Sequence, residues 1–224
     1  MLFAAILLVE SAAAFAVETL IRWYAPHLAN TGLLTVISAA ISLPILIPLV
    51  LLAAHYTFRH GIRSGLGLNT RHWLCDTVRG IFGLLAIYPV CMVLVWLSVS
   101  YLVPQHLQRT QSLLTLAHDS AIGWKILTVV VAVLIGPVFE ELFFRGILQS
   151  MFRGVLRSPW AAIILASLIF APLHFGPGFT GAQNILPLFA LSLALGYNYE
   201  RCGRLWPSIL MHMLFNAVNI AAVL

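Results

Sequence analysis

Two carboxylates and a guanidinium, Glu140, Glu141 and Arg145, fall within six residues of an otherwise apolar run. Apart from Lys125, no charge occurs between Ser120 and Phe139. An ionisable group near a bilayer centre costs about 2.5–3.5 kcal/mol on insertion scales, so such groups pair or face a polar cavity. Two further pairs repeat the same offset of four on later apolar stretches: Phe170 with His174, and His212 with Asn216. Residues at i and i+4 share a helix face. Glu141 precedes Arg145 by one turn, the favoured order for an ion pair. Glu140 points about 100° away on the helix wheel. This assigns Glu141 to holding Arg145 and leaves Glu140 free for chemistry. Ser208, His212, Asn216 and Asn219 form a polar stripe that should look into a bundle and not into lipid.

The elements that must position these groups are membrane helices. The chain has 224 residues, 61% of them hydrophobic and only 8% charged. A soluble domain carries about 25% charged residues. Continuous apolar runs near the ~20 residues of a transmembrane helix, without the alternation of a membrane β-barrel, predict an all-α, polytopic transmembrane bundle of about seven helices. The expected spans run over residues 2–21, 33–54, 80–103, 124–152, 160–174, 184–199 and 206–224. One membrane-embedded domain over 1–224 is expected, with residues 124–219 bearing the motifs. Pro44 and Pro48 should kink the second span, and Pro89 lies inside the third. Pro137, one turn before the acids, should bend its helix or open a backbone carbonyl beside them. The first span lacks a basic leader region, and Glu10 interrupts its core, so it reads as a retained helix. Glu10 and Glu18 share a side of that helix. Residues 55–79 read as a basic loop, and residues 104–123 as an interfacial segment.

With the N-terminus inside, the inner segments hold Arg59, Arg63, Arg71, Arg79, Arg145, Arg153, Arg157, Arg201 and Arg204. The outer ones hold Arg22, Arg109 and Lys125. That bias predicts a cytoplasmic N-terminus, and the expected location is the plasma (inner) membrane of a prokaryote. The net charge of +5 therefore marks topology, and no nucleic-acid partner is expected. The partner that composition leads one to expect is the lipid bilayer. Cys75, Cys91 and Cys202 are scattered, with no CxxC pair, and indicate neither a disulfide framework nor a thiolate metal site.

Glu140-Glu141-x-x-x-Arg145, Phe170-x-x-x-His174 and His212-x-x-x-Asn216, in that order on successive helices, resemble the signature of the CPBP (CAAX protease and bacteriocin-processing, or Abi) family, which includes the type II CAAX prenyl endopeptidases. Pro137, Gly146 and the Gly203-Arg204-Leu205-Trp206-Pro207 lead-in agree with it, and the match covers residues 133–219. The resemblance implies an intramembrane endopeptidase whose site opens toward the cytoplasm and whose partner is a peptide or membrane-protein substrate. Glu140 and His174 would activate a water, and His212 and Asn216 would stabilise the oxyanion. Glu141 and Arg145 support the site. No cofactor is favoured. The competing mechanism is zinc held by Glu140, His174 and His212, a known catalytic donor set, although HExxH is absent. A proton-coupled transporter or a non-catalytic immunity or scaffold protein is the alternative from another class. Transporters often show paired halves with matching interruptions, whereas here the polar residues concentrate in the C-terminal half.

Overall fold

The structure is a computed structural model that describes residues 2–25, 31–58, 61–69, 71–105, 108, 121–175 and 181–222. The side chain of Glu10, most of residues 104–123 with Arg109, and Gly176-Pro177-Gly178 lie outside the described residues. Seven principal helices are described, and no strand: α1 (Leu2–Tyr24), α2 (Thr31–Thr57), α3 (Trp73–Leu102), α4 (Ile122–Leu156), α5 (Pro159–His174), α6 (Ile185–Cys202) and α7 (Trp206–Ala221). Leu33–Tyr56 within α2, together with α3 and α4, are long and apolar enough to cross a membrane. The protein is accordingly a helical integral membrane protein.

Local sequence sets the helix ends. Arg157 takes a left-handed conformation (φ 56°) and stops α4. Ser158 then caps α5, its Oγ accepting from the Ala161 amide, with Pro159 as the first helical residue. Gly203 (φ 59°) ends α6 and Pro207 sits in the first turn of α7, the usual glycine stop and proline start. α2 continues through Pro44 and Pro48.

The third helix begins at Trp73, seven residues before the expected start at Gly80, so the basic loop is correspondingly shorter. The reason is a charge pair that the sequence pattern did not announce. Arg204 donates from Nε and Nη2 to the two carboxylate oxygens of Asp76, both at 2.6 Å. With its carboxylate neutralised and buried, the first turn of α3 joins the bundle. The remaining loop docks on the same corner. Leu205 donates its amide to the Gly67 carbonyl at 3.1 Å. Gly67 has φ 68°, and a Cβ there would collide with the Gly203 carbonyl.

Contact pairs fix the direction of each helix. Asp76 meets Arg204, Thr77 meets Trp206 and Tyr88 meets Phe215, so α3 and α7 run parallel. Arg145 meets Ser192, Gln149 meets Gly196 and Arg153 meets Glu200, so α4 and α6 run parallel. α3 also packs on α6, with glycines at the crossings. A Cβ on Gly80 would lie 2.9 Å from the Pro207 carbonyl, and one on Gly83 2.8 Å from Asn198 Nδ2. Such small residues let membrane helices approach closely.

Candidate active site

α4 is not a uniform α-helix. It widens into π-helical turns over Val130–Ile135 and Leu142–Gln149, a departure that recurs at functional sites. In the first wide turn the Gly136 amide donates to Val131, five residues back. The next carbonyl in that register, Ala132, would need the amide of residue 137, which is a proline and has none. Asn216 supplies the missing donor: its Nδ2 reaches the Ala132 oxygen at 2.8 Å. The carbonyl expected to open near Pro137 is thus present, and a motif residue from α7 occupies it.

One turn later, Glu141 is fully buried and its Oε1 serves two partners. Arg145 Nη1 lies at 3.1 Å and His212 Nδ1 at 2.9 Å. Arg145, 1% exposed, also donates from Nη2 to the Ser192 hydroxyl at 2.9 Å and the Ser192 carbonyl at 3.2 Å. Its guanidinium sits 4.9 Å from the centre of the Phe170 ring, within cation–π range. Glu141 therefore holds Arg145, as expected, and in addition orients His212.

Glu140 faces the other way. Its side chain is 25% exposed, as is 26% of His174, whereas Glu141 is sealed. Glu140 Oε2 lies 3.5 Å from His174 Nε2 and 3.8 Å from His212 Nε2, and makes no hydrogen bond among the described residues. His174 Nδ1 is 3.0 Å from the Phe170 carbonyl. Both histidines thus turn Nδ1 toward an acceptor, so Nδ1 carries the ring proton. In the neutral ring Nε2 is then an acceptor. Three acceptor atoms converge, and a proton, a water or a cation has to lie among them.

These atoms line a cavity of about 630 Å³. Asn216 and Asn219 border it on α7, and Glu18, Ser38 and Ser42 form a polar patch on the α1–α2 wall. Ser38 Oγ, 3.4 Å from the Ala14 carbonyl, links α2 to α1. Glu140, His174 and His212 come together, and Asn216 lines the same cavity. The remaining stripe residue, Ser208, is buried away from it, donating to the Leu195 carbonyl at 2.8 Å.

The supporting residues on α6 escaped the sequence reading. Gln149 Nε2 donates to the Gly196 carbonyl at 3.1 Å, and Ser150 pairs with Tyr199 at 3.1 Å. A Cβ on Gly196 would lie 2.7 Å from Gln149 Oε1. The available signal was a second polar residue one turn after Arg145, matched by small residues four apart, Ser192 and Gly196, on a later apolar helix.

The comparisons with known proteins meet this geometry at the same residues. The family described as Type II CAAX prenyl endopeptidase Rce1-like matches residues 122–218. An uncharacterized 24.3 kDa protein of Escherichia coli is 31% identical over 99 residues, which cover 42% of this chain and 43% of that relative. The chain thus matches less than half the length of this curated relative. No solved structure matches. The family match runs from the start of α4 past Asn216 and takes in all three polar motifs, so over residues 122–218, less than half of its length, the chain is similar to the Rce1-like type II CAAX prenyl endopeptidases.

Proposed function

We propose that the protein is an intramembrane endopeptidase that hydrolyses a peptide bond of a membrane-associated substrate with a water activated by Glu140 and His174. The observation that carries this reading is the approach of Glu140 Oε2 to the Nε2 atoms of His174 and His212 on the wall of a 630 Å³ cavity. A water between Glu140 and His174 gives up a proton to this acceptor pair as its oxygen bonds to the peptide carbon. The carbonyl becomes an oxyanion. The second Nδ2 hydrogen of Asn216 and, in its doubly protonated form, His212 Nε2 are the donors offered to it. The proton then passes to the leaving nitrogen as the C–N bond breaks. Glu141 and Arg145 hold His212 and α6 in place without touching the reacting atoms.

The experiment compares membrane peptides in cells carrying the intact protein or Glu140→Gln. Fragments made only by the intact protein, at equal accumulation of the two forms, are the expected result. Unchanged fragments would remove Glu140 from the role of base.

A second reading is supported by the orientation of both histidines. A carboxylate or a carbonyl on Nδ1 is the arrangement that outer partners give zinc-bound imidazoles. Ligands at about 2.0–2.2 Å from zinc lie about 3.4 Å apart in a tetrahedron. The separations here are 3.5 and 3.8 Å, and no metal-binding cluster is formed among the described residues, so the set would have to contract to take the ion. Glu140, His174 and His212 would hold it, and zinc would supply Lewis-acid activation of water. The glutamate reading is favoured because Glu140 and His174 need no rearrangement to accept a proton from water. Cleavage that survives exhaustive chelation supports it, and cleavage lost on chelation and restored by zinc supports the metal.

A further inference from the structure

A second recess lies at the end of the bundle where the Asp76–Arg204 and Arg153–Glu200 pairs gather. It encloses about 320 Å³ and is lined by Gly67, Leu68, Asn69, Trp73, Trp206 and Ile209, a size within the range of small-molecule sites. Three stretches meet there: the docked loop, the first residue of α3 and the start of α7. The loop is held by the Leu205 amide on the Gly67 carbonyl. The Trp206 indole is held by its Nε1, which donates to Thr77 Oγ1 at 3.0 Å. Trp73 and Trp206 are 56% and 39% exposed, so the recess is open at the surface of the bundle. It shares no lining residue with the Glu140 cavity.

Apart from Asn69 the side chains of this lining are apolar, and two of them are indoles, which settle at the level of lipid headgroups. Trp73 opens α3, a helix long and apolar enough to cross a membrane, and its neighbours Leu74 and Val78 are exposed. The recess therefore sits where acyl chains give way to headgroups. The charge around it is one-sided. The acids of this end among the described residues, Asp76 and Glu200, are taken by Arg204 and Arg153. Arg79 donates to Cys202 Sγ at 2.8 Å. Arg71 stands in the chain between Asn69 and Trp73, two residues from each, and its amide donates to Asn69 Oδ1 at 2.8 Å. Its exposed side chain makes no hydrogen bond or ion pair with the described residues.

We propose that this recess binds one anionic phospholipid, with an acyl chain against Trp73, Trp206, Leu68 and Ile209 and the phosphate paired with Arg71. An uncommitted guanidinium beside an apolar recess matches an amphiphile with a negative head. Arginine pairs with phosphate oxygens at two points, and basic segments at a membrane surface draw anionic lipids. A soluble anion has no use for the apolar walls, and a zwitterionic lipid brings no net charge to offset the arginines. The lipid would bridge the docked loop to the starts of α3 and α7, the corner that the Asp76–Arg204 clamp also closes. The site stands independently of the proteolytic reading above.

The test follows thermal unfolding of the full chain in a neutral detergent, with added phosphatidylglycerol or phosphatidylcholine of identical acyl chains. Phosphatidylglycerol should raise the melting temperature by about 5 °C or more as it saturates the site, and phosphatidylcholine by much less. Arg71→Gln and Trp73→Ala, both at exposed positions, should lose most of that difference. Arg157→Gln, at an exposed arginine of the same end outside the recess lining, should keep it. Mass spectrometry of the intact protein with its retained lipid repeats the comparison as a count of bound phosphatidylglycerol, independent of each variant's own melting temperature. Equal stabilisation by the two lipids, an equal loss in Arg157→Gln, or a Trp73→Ala protein that responds like the natural chain would overturn the proposal. So would the same shift from inorganic phosphate or glycerol phosphate, which would reduce the recess to a site for soluble anions.

Discussion

His212 Nδ1 lies 2.9 Å from Glu141 Oε1, the same oxygen that holds Arg145 Nη1 at 3.1 Å. One buried carboxylate thus fixes both the ring that faces the cavity and the cation that ties α4 to α6. Glu141→Gln should therefore do two things at once. It leaves Arg145 without a counter-charge, and breaking a buried pair in this way costs about 3–5 kcal/mol. It also loosens the His212 ring. We expect low accumulation and a clearly lower melting temperature in detergent, together with loss of cleavage. Glu140→Gln should keep its melting temperature within a degree or two of the natural chain.

Asn216 has a structural duty separable from its proposed catalytic one. Asn216→Ala leaves the Ala132 carbonyl unpaired, and an unsatisfied buried group costs about 1–3 kcal/mol. Pro137→Ala restores an amide in the register of that carbonyl. The double variant should regain most of the stability that Asn216→Ala loses while cleavage stays impaired, as read by thermal unfolding beside a cleavage assay. Recovery of cleavage as well would confine Asn216 to the backbone role.

Gly196 faces Gln149 and Ile163 with no room for a larger side chain: a Cβ would lie 2.7 Å from Gln149 Oε1 and 3.1 Å from Ile163 Cγ2. Gln149 cannot swing aside without breaking its hydrogen bond to the Gly196 carbonyl. Gly196→Val should destabilise by about 1–3 kcal/mol through overpacking. Combining it with Gln149→Ala should cost less than the two single changes added together, a coupling that a double-mutant cycle measures.

The Asp76–Arg204 clamp should be worth less than the buried Glu141–Arg145 pair, because Arg204 is 23% exposed to screening. Its contact with Asp76 raises the Arg204 pKa further above its ordinary value, so arginine remains charged at any working pH. Arg204→Lys gives up the two-point contact and should lower the melting temperature modestly. Asp76→Asn leaves the hydrogen-bond acceptor but removes the charge, and should sit between Arg204→Lys and Arg204→Ala in thermal unfolding.

Composition alone announced membrane helices, because an apolar run that long has no soluble alternative. The spacing of four paired Glu141 with Arg145 because that geometry is local to one helix. Proline 137 announced an unpaired carbonyl for the same reason, since the missing amide belongs to the residue itself. What the sequence left open were relations between helices, which no local periodicity encodes. That Asn216 fills the gap left by Pro137 depends on α7 running antiparallel to α4 at one register. That Asp76 begins α3 in place of ending a loop depends on Arg204, distant in the chain. The same holds for the shared oxygen of Glu141: it follows from how the helices pack, and packing is decided by the whole set of surfaces at once.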